Sequence, residues 1–254
     1  LEDGFVVFQL ETQATTDIVY PDSDGQPMAD NTKQFRWITV IYYNLEWLFA
    51  KEEMVFVAGD LLWYPVEGNN KLRQAPDVMV VFGVKKGDRG SYMQWKEGGQ
   101  SPQVAFEILS PGNTLTEMNK KQVFYNRYGV EEYYVYDPDK HDLSGWLRAE
   151  DGLEVIETMA GWVSPRLGIR FNLSEETLQL VRPDGTPFAT YSEISQQLAS
   201  ALQDVEQERQ RAEQERQRAE QERQRAEQER RRADRLAERL KAIGIDPEME
   251  DGLG

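Results

Sequence analysis

Glu107 stands inside the apolar run VAFEIL, Val104 to Leu109. In an extended segment side chains alternate between faces, so Ala105, Glu107 and Leu109 share one face. A lone carboxylate among apolar neighbours is costly to bury, so a cation, a metal or hydrogen-bond donors must meet it, or the strand must open to solvent there. Asp77 opens a second apolar run, APDVMVVF, where the backbone enters the core. If the two strands pair antiparallel, both carboxylates come to the same sheet edge, and they repel unless a cation lies between them. Mg²⁺ suits such a pair, because it takes one or two carboxylates plus water and needs no His or Cys. Lys121 is the third group. It lies three residues after Met118 and four before Tyr125, on the inward stripe of a helix, with Lys120 turned to solvent. There it can neutralise Glu107 and hold a water or a phosphate oxygen. The plainer reading is an ordinary ion pair with Glu117, four residues earlier.

These groups need a sheet and a helix to position them. RWITVIYYNLEWLFA carries Trp37, Ile41, Leu45 and Leu48 at helical spacing, which predicts a helix packed on a sheet. The runs MVFVA, LLWYP, VMVVF, QVAFEIL, EYYVYD, SGWLR, LEVIE, LGIRF and LQLVR, separated by Gly, Pro, Asn and Asp, read as strands. One helix interrupts them at TLTEMNKKQVFYNRYG. Thr114 and Glu117 form a capping box, and Gly129 stops the helix. Strand, helix, strand through residues 103–137 is a crossover unit that places VAFEIL and EYYVYD in one sheet. The expected class is α/β or α+β on a mixed sheet, followed by a long C-terminal helix. The expected divisions are an extension over 1–33, the domain over 34–189, the helix over 190–243 and a tail over 244–254.

Composition narrows the chemistry. There are no cysteines, and His141 is the only histidine, placed in the turn-like DPDKHDLSG. Thiolate chemistry, zinc thiolate sites and Ser-His-Asp catalysis are excluded. From Asp204 onward 12 basic residues meet 15 acidic ones, leaving 17 against 30 in the first 203 residues. So acidic a domain repels polyanions at long range, and contact with nucleic acid must be local or helped by a divalent cation. No apolar run reaches membrane-spanning length, which predicts a cytoplasmic protein with no membrane partner.

The tail repeats every seven residues as VEQERQR, AEQERQR, AEQERQR and AEQERRR. Val205, Ala212, Ala219, Ala226, Ala233 and Leu240 fall on one heptad position, but the position three residues on is Glu215, Glu222 and Glu229 before it becomes Leu236. Such a seam fits either a weak coiled coil that makes a homo-oligomer or a solvated single helix. Good helix formers and opposite charges at three- and four-residue spacing, such as Arg209 with Glu213 and Glu213 with Arg216, support the helix in both cases.

APDVMVV, then VAFEILSP, then Glu117, Lys121, Tyr125 and Gly129 leading to EYYVYDP resemble the Uma-type restriction endonuclease family, a branch of the PD-(D/E)XK nuclease superfamily. The likeness covers roughly residues 35–175. It implies metal-assisted phosphodiester hydrolysis with catalytic residues Asp77, Glu107 and Lys121, where Asp77 and Glu107 bind Mg²⁺ or Mn²⁺. The superfamily lysine usually lies two residues after the acid, where this chain has Leu109; in the Uma-type branch it has moved to the following helix, where Lys121 matches it. The branch usually carries a glutamate where this chain has Val55, ahead of Gly59 and Asp60, which leaves one carboxylate fewer.

Between the two acids, Lys85, Lys86, Arg89 and Lys96 against Asp88 give a local excess of three positive charges, with Tyr92 and Trp95 interleaved. This pattern suits contact with a nucleic-acid backbone and stacking on bases; a solubilising hairpin tip has the same composition. The expected function is a Mg²⁺-dependent endonuclease acting on nucleic acid, in the first place DNA. The alternative is a catalytically silent nuclease-fold adaptor that assembles through its helix.

Overall fold

Five-residue apolar runs without alternation are buried on both faces, and in the computed structural model, which describes residues 18–174 and 177–243, they form the centre of a mixed sheet. Helix α1 (Thr32–Leu48) precedes β1 (Val55–Gly59), β2 (Trp63–Tyr64), β3 (Val78–Phe82), β4 (Tyr92–Met93) and β5 (Val104–Ile108). Helix α2 (Leu115–Arg127) then leads to β6 (Glu132–Asp137), β7 (Asp142–Ala149), β8 (Gly152–Val155), β9 (Arg170–Leu173), β10 (Leu178–Val181) and α3 (Tyr191–Ala242). The main sheet has the order β1-β3-β5-β6-β7-β8. Its neighbours are antiparallel except β5 and β6, which run parallel because α2 crosses between them. β9 and β10 form a hairpin, and β2 pairs with β4.

The sheet separates two cores. On one face Ile38, Ile41 and Leu45 of α1 pack on Val57, Val80, Val104 and Phe106. On the other, Tyr125 of α2 packs with Trp63, Phe56, Met79, Ala105 and Tyr133. α1 begins earlier than its apolar spacing suggests, because the Asn31 side chain accepts from the amides of Lys33 and Gln34. Residues before it, read as a surface extension, are fastened to the domain: Tyr64 donates to the Pro21 carbonyl (2.7 Å) and Tyr20 accepts from the Gly68 amide (2.6 Å). α2 is capped by Thr114, whose hydroxyl accepts from the Glu117 amide (3.2 Å), while the Glu117 carboxylate faces Asn113 instead of closing the expected box. Gly129 ends the turn at φ +91°, a conformation open to glycine.

The chain divides after Thr190 into two units. The second contains α3, 52 residues and roughly 80 Å long at 1.5 Å per residue. Its side chains pair locally, with Gln210, Gln217 and Gln224 each donating to the glutamate four residues earlier and Arg231 pairing with Glu227. Glu213 therefore accepts from Gln217, and Arg209 meets Glu206 (3.4 Å) instead of Glu213. Among the described residues no helix is long and apolar enough to cross a membrane. Deleting residues 204–254 is expected to leave the first unit folded, with a single cooperative melt within about 3 °C of the full chain; circular dichroism against temperature checks this.

Candidate active site

Sheet register brings three acids into a row. Val78 is paired with Gly59 on one side and Phe106 on the other. One position further along, Asp77 stands between Asp60 and Glu107. Cross-strand partners project to the same face, here the α2 face, onto which Ala58, Met79 and Ala105 also alternate. The Asp60 amide donates to the Asp77 carbonyl (3.2 Å), and Asp60 turns the chain at φ +48°, a left-handed conformation that aspartate tolerates. Asp77 is 8% exposed and Glu107 2%.

Helix α2 meets Glu107 with two donors one turn apart. Lys121 Nζ lies 2.7 Å from Oε2, and the Tyr125 hydroxyl donates to Oε1. Lys121 thus pairs with Glu107 rather than with Glu117. Tyr125 is itself fixed, fully buried and stacked parallel to Trp63 at 6.4 Å between ring centres. Asp77 is engaged through one oxygen, Oδ2 accepting from the Ile108 amide at 2.6 Å; Oδ1 has no hydrogen bond among the described residues.

Burial, followed by the neighbouring Glu107 charge, raises the Asp77 carboxyl well above the ordinary range, against the opposing pull of Lys121 and the Ile108 amide. Burial likewise raises Glu107, with Lys121 and Tyr125 pulling it back down. Burial alone would lower Lys121, but the charges of Glu107 and Asp77 prevail and push its ammonium up to about 12. Asp60 is raised by burial and then by the charge of Asp24. The row therefore holds more acid than the single ammonium neutralises. α1 and α2 both begin at the rim of a cleft of about 570 Å³ lined by Asp30, Asn31, Gly112, Asn113 and Glu117.

The family model described as putative restriction endonuclease, Uma2, matches residues 8–179. The chain belongs to the Uma2 family. Among solved structures, a putative nuclease belonging to DUF820 from Anabaena variabilis is similar at 15% identity and a TM-score of 0.42, covering 55% of this chain and 74% of that one. A comparison with curated proteins gives no match.

Within this Uma2 chain, Val55 is buried at the end of β1 remote from the acids, paired with Phe82. Leu109 continues the sheet through its amide to the Tyr136 carbonyl (2.8 Å). Among the described residues no group of three or more Asp, Glu or His side chains is arranged to hold a metal ion. Register makes Asp77 and Glu107 cross-strand neighbours, and two hard carboxylates are a donor type that Mg²⁺ or Mn²⁺ accepts with water completing its coordination.

The basic stretch differs from a free tip. Lys86 Nζ donates to the Phe49 carbonyl (2.7 Å), and Arg89 pairs with Glu97 (2.6 Å) while lying over the Phe56 ring (4.1 Å). Lys85 and Lys96 remain exposed. Tyr92 is unavailable for stacking, because it is wholly buried in β4 with its hydroxyl on the Gln100 carbonyl (2.7 Å). Trp95 is half-buried against Tyr20. Two residues at the acid row, Asp60 within it and Tyr125 on α2, went unassigned in the sequence. Asp60 follows an apolar run as Asp77 precedes one, and Tyr125 lies one helical turn from Lys121; those spacings were the available signals.

Proposed function

We propose that this Uma2 chain is a Mg²⁺- or Mn²⁺-dependent endonuclease that hydrolyses phosphodiester bonds in nucleic acid, in the first place DNA. The observation that carries the reading is the convergence of Asp77 and Glu107 on one sheet rung with Lys121 on Glu107. Asp77 and Glu107 would hold the cation, which when bound supplies Lewis acidity to the scissile phosphate. Lys121, released from Glu107 Oε2, donates to the attacking water or to the charge developing on the phosphate. The low-dielectric surroundings of this ammonium strengthen that interaction. Lys85 and Lys96 are free to contact the phosphate backbone, whereas Lys86 and Arg89 would first have to release their partners in the protein. Helix α3, with Leu198 and Val205 exposed on one heptad position, serves self-association.

The test is plasmid cleavage with Mg²⁺ or Mn²⁺, comparing the parent chain with Glu107→Ala and Lys121→Ala. Cleavage lost by at least 100-fold in both variants, about 2.7 kcal/mol of transition-state stabilisation, supports the enzyme. Cleavage indifferent to either substitution, or absent throughout, favours the catalytically silent adaptor. One observation favours that second reading: both oxygens of Glu107 are already satisfied by protein groups.

A further inference from the structure

We infer that Tyr125 is a positioning residue that fixes Glu107 so that each acid of the pair offers one oxygen to a divalent cation, limiting the site to a single ion. The inference deepens the nuclease reading and rests on it.

Oxygen by oxygen, the two carboxylates are held differently. Asp77 gives Oδ2 to the Ile108 amide and keeps Oδ1 unengaged by described residues. Glu107 gives Oε1 to the Tyr125 hydroxyl and Oε2 to Lys121. These two donors differ in how firmly they are held. The Tyr125 ring is fully buried, stacked on Trp63 and set edge-on to Phe124 at 5.9 Å, so its hydroxyl cannot withdraw without disturbing the second core. Lys121 has a flexible stem and is 13% exposed in its side chain. Of the two donors the ammonium is the one able to yield, so Oε2 would be the oxygen that Glu107 offers to a divalent cation, and Oε1 would stay with the Tyr125 hydroxyl.

That division has two consequences. A carboxylate with one oxygen held by a rigid donor is poorly placed to bridge two ions, and one free oxygen from each acid, completed by water, is a donor set for one Mg²⁺ or Mn²⁺. Removing the donor that orients a metal-binding carboxylate typically weakens the metal by about 10- to 100-fold. The Tyr125 hydroxyl is engaged with Glu107 Oε1, so its contribution is geometric and acts through Glu107.

The experiment is Mn²⁺ titration of the full chain by calorimetry and by loss of the free Mn²⁺ electron-spin signal, for the parent, Tyr125→Phe and Tyr134→Phe. Tyr134 donates a matching hydroxyl to a different buried carboxylate, Glu132 (2.9 Å), and controls for the loss of a buried phenol–carboxylate bond. The expected result is one Mn²⁺ per parent chain, affinity lower by about tenfold or more in Tyr125→Phe, and parental affinity in Tyr134→Phe. Two Mn²⁺ per chain, parental affinity in Tyr125→Phe, or equal weakening in both variants overturns the inference and leaves the nuclease reading standing. A parent chain that binds no Mn²⁺ overturns both.

Discussion

Lys121→Met is expected to abolish cleavage and at the same time to lower the stability of the first unit by about 3–5 kcal/mol, because it leaves a buried carboxylate without its cation. The size follows from burial. Glu107 is 2% exposed and its only ion-pair partner among the described residues is Lys121, at 2.7 Å. With Tyr125 as the remaining donor, Glu107 either keeps an uncompensated charge in the core or takes up a proton. The double variant Glu107→Gln, Lys121→Met removes both charges. It should recover most of the lost stability while remaining inactive, since replacing both partners of a buried pair is far milder than removing one. Urea denaturation of the single and double variants measures the coupling. Equal stability in all of them would mean that the pair is solvated and that Glu107 is not held as described.

Glu132→Ala is expected to have the second largest effect, and on stability alone. Glu132 is fully buried and accepts from the Tyr134 hydroxyl (2.9 Å), the Ser164 hydroxyl and the Arg166 amide (2.6 Å). Losing the carboxylate orphans two buried hydroxyls and the part-buried Arg166 amide, and opens a cavity. Each unsatisfied group costs about 1–3 kcal/mol, so a loss of about 3 kcal/mol, or roughly 6–12 °C for a unit of this size, is a conservative figure. Differential scanning calorimetry gives the shift, and Glu132→Gln should retain part of it. Mn²⁺ affinity should not change. Two buried acids of one sheet thus part ways: Glu132 binds strand β6 to the 164–167 turn through neutral donors, whereas Glu107 faces the only ammonium at the acid row.

How much of this was legible in the sequence depends on the range of each interaction. α2 and the two central strands followed from local apolar pattern, and α3 from its heptad repeat and good helix formers, with none of its residues buried. The acid pair followed from strand position plus the assumption of antiparallel pairing, which the register of Val78 with Phe106 satisfies. The partners of Glu132 were illegible because Ser164 and Arg166 lie about thirty residues away, and nothing in EYYVYD marks its first residue as bound. The Arg182 side chain was similarly hidden. Read as the end of a strand, it is buried, donates to Asn44 (2.6 Å) and lies over Trp47 at 3.5 Å. The basic stretch misled because charge counting ignores intramolecular partners: a carbonyl holds Lys86, and Glu97 with the Phe56 ring holds Arg89. Tyr92, interleaved among those charges, looked like a stacking platform and proved to be core.

The central claim is that Asp77 and Glu107 receive a divalent cation in the place Lys121 now guards. Anomalous diffraction from crystals of the full chain grown with Mn²⁺ tests it most directly. The account predicts one peak about 2.1 Å from an oxygen of each acid, with Lys121 withdrawn from Glu107 and Tyr125 still bound to it. Density showing the Lys121 to Glu107 pair intact, with manganese elsewhere or absent, would contradict it.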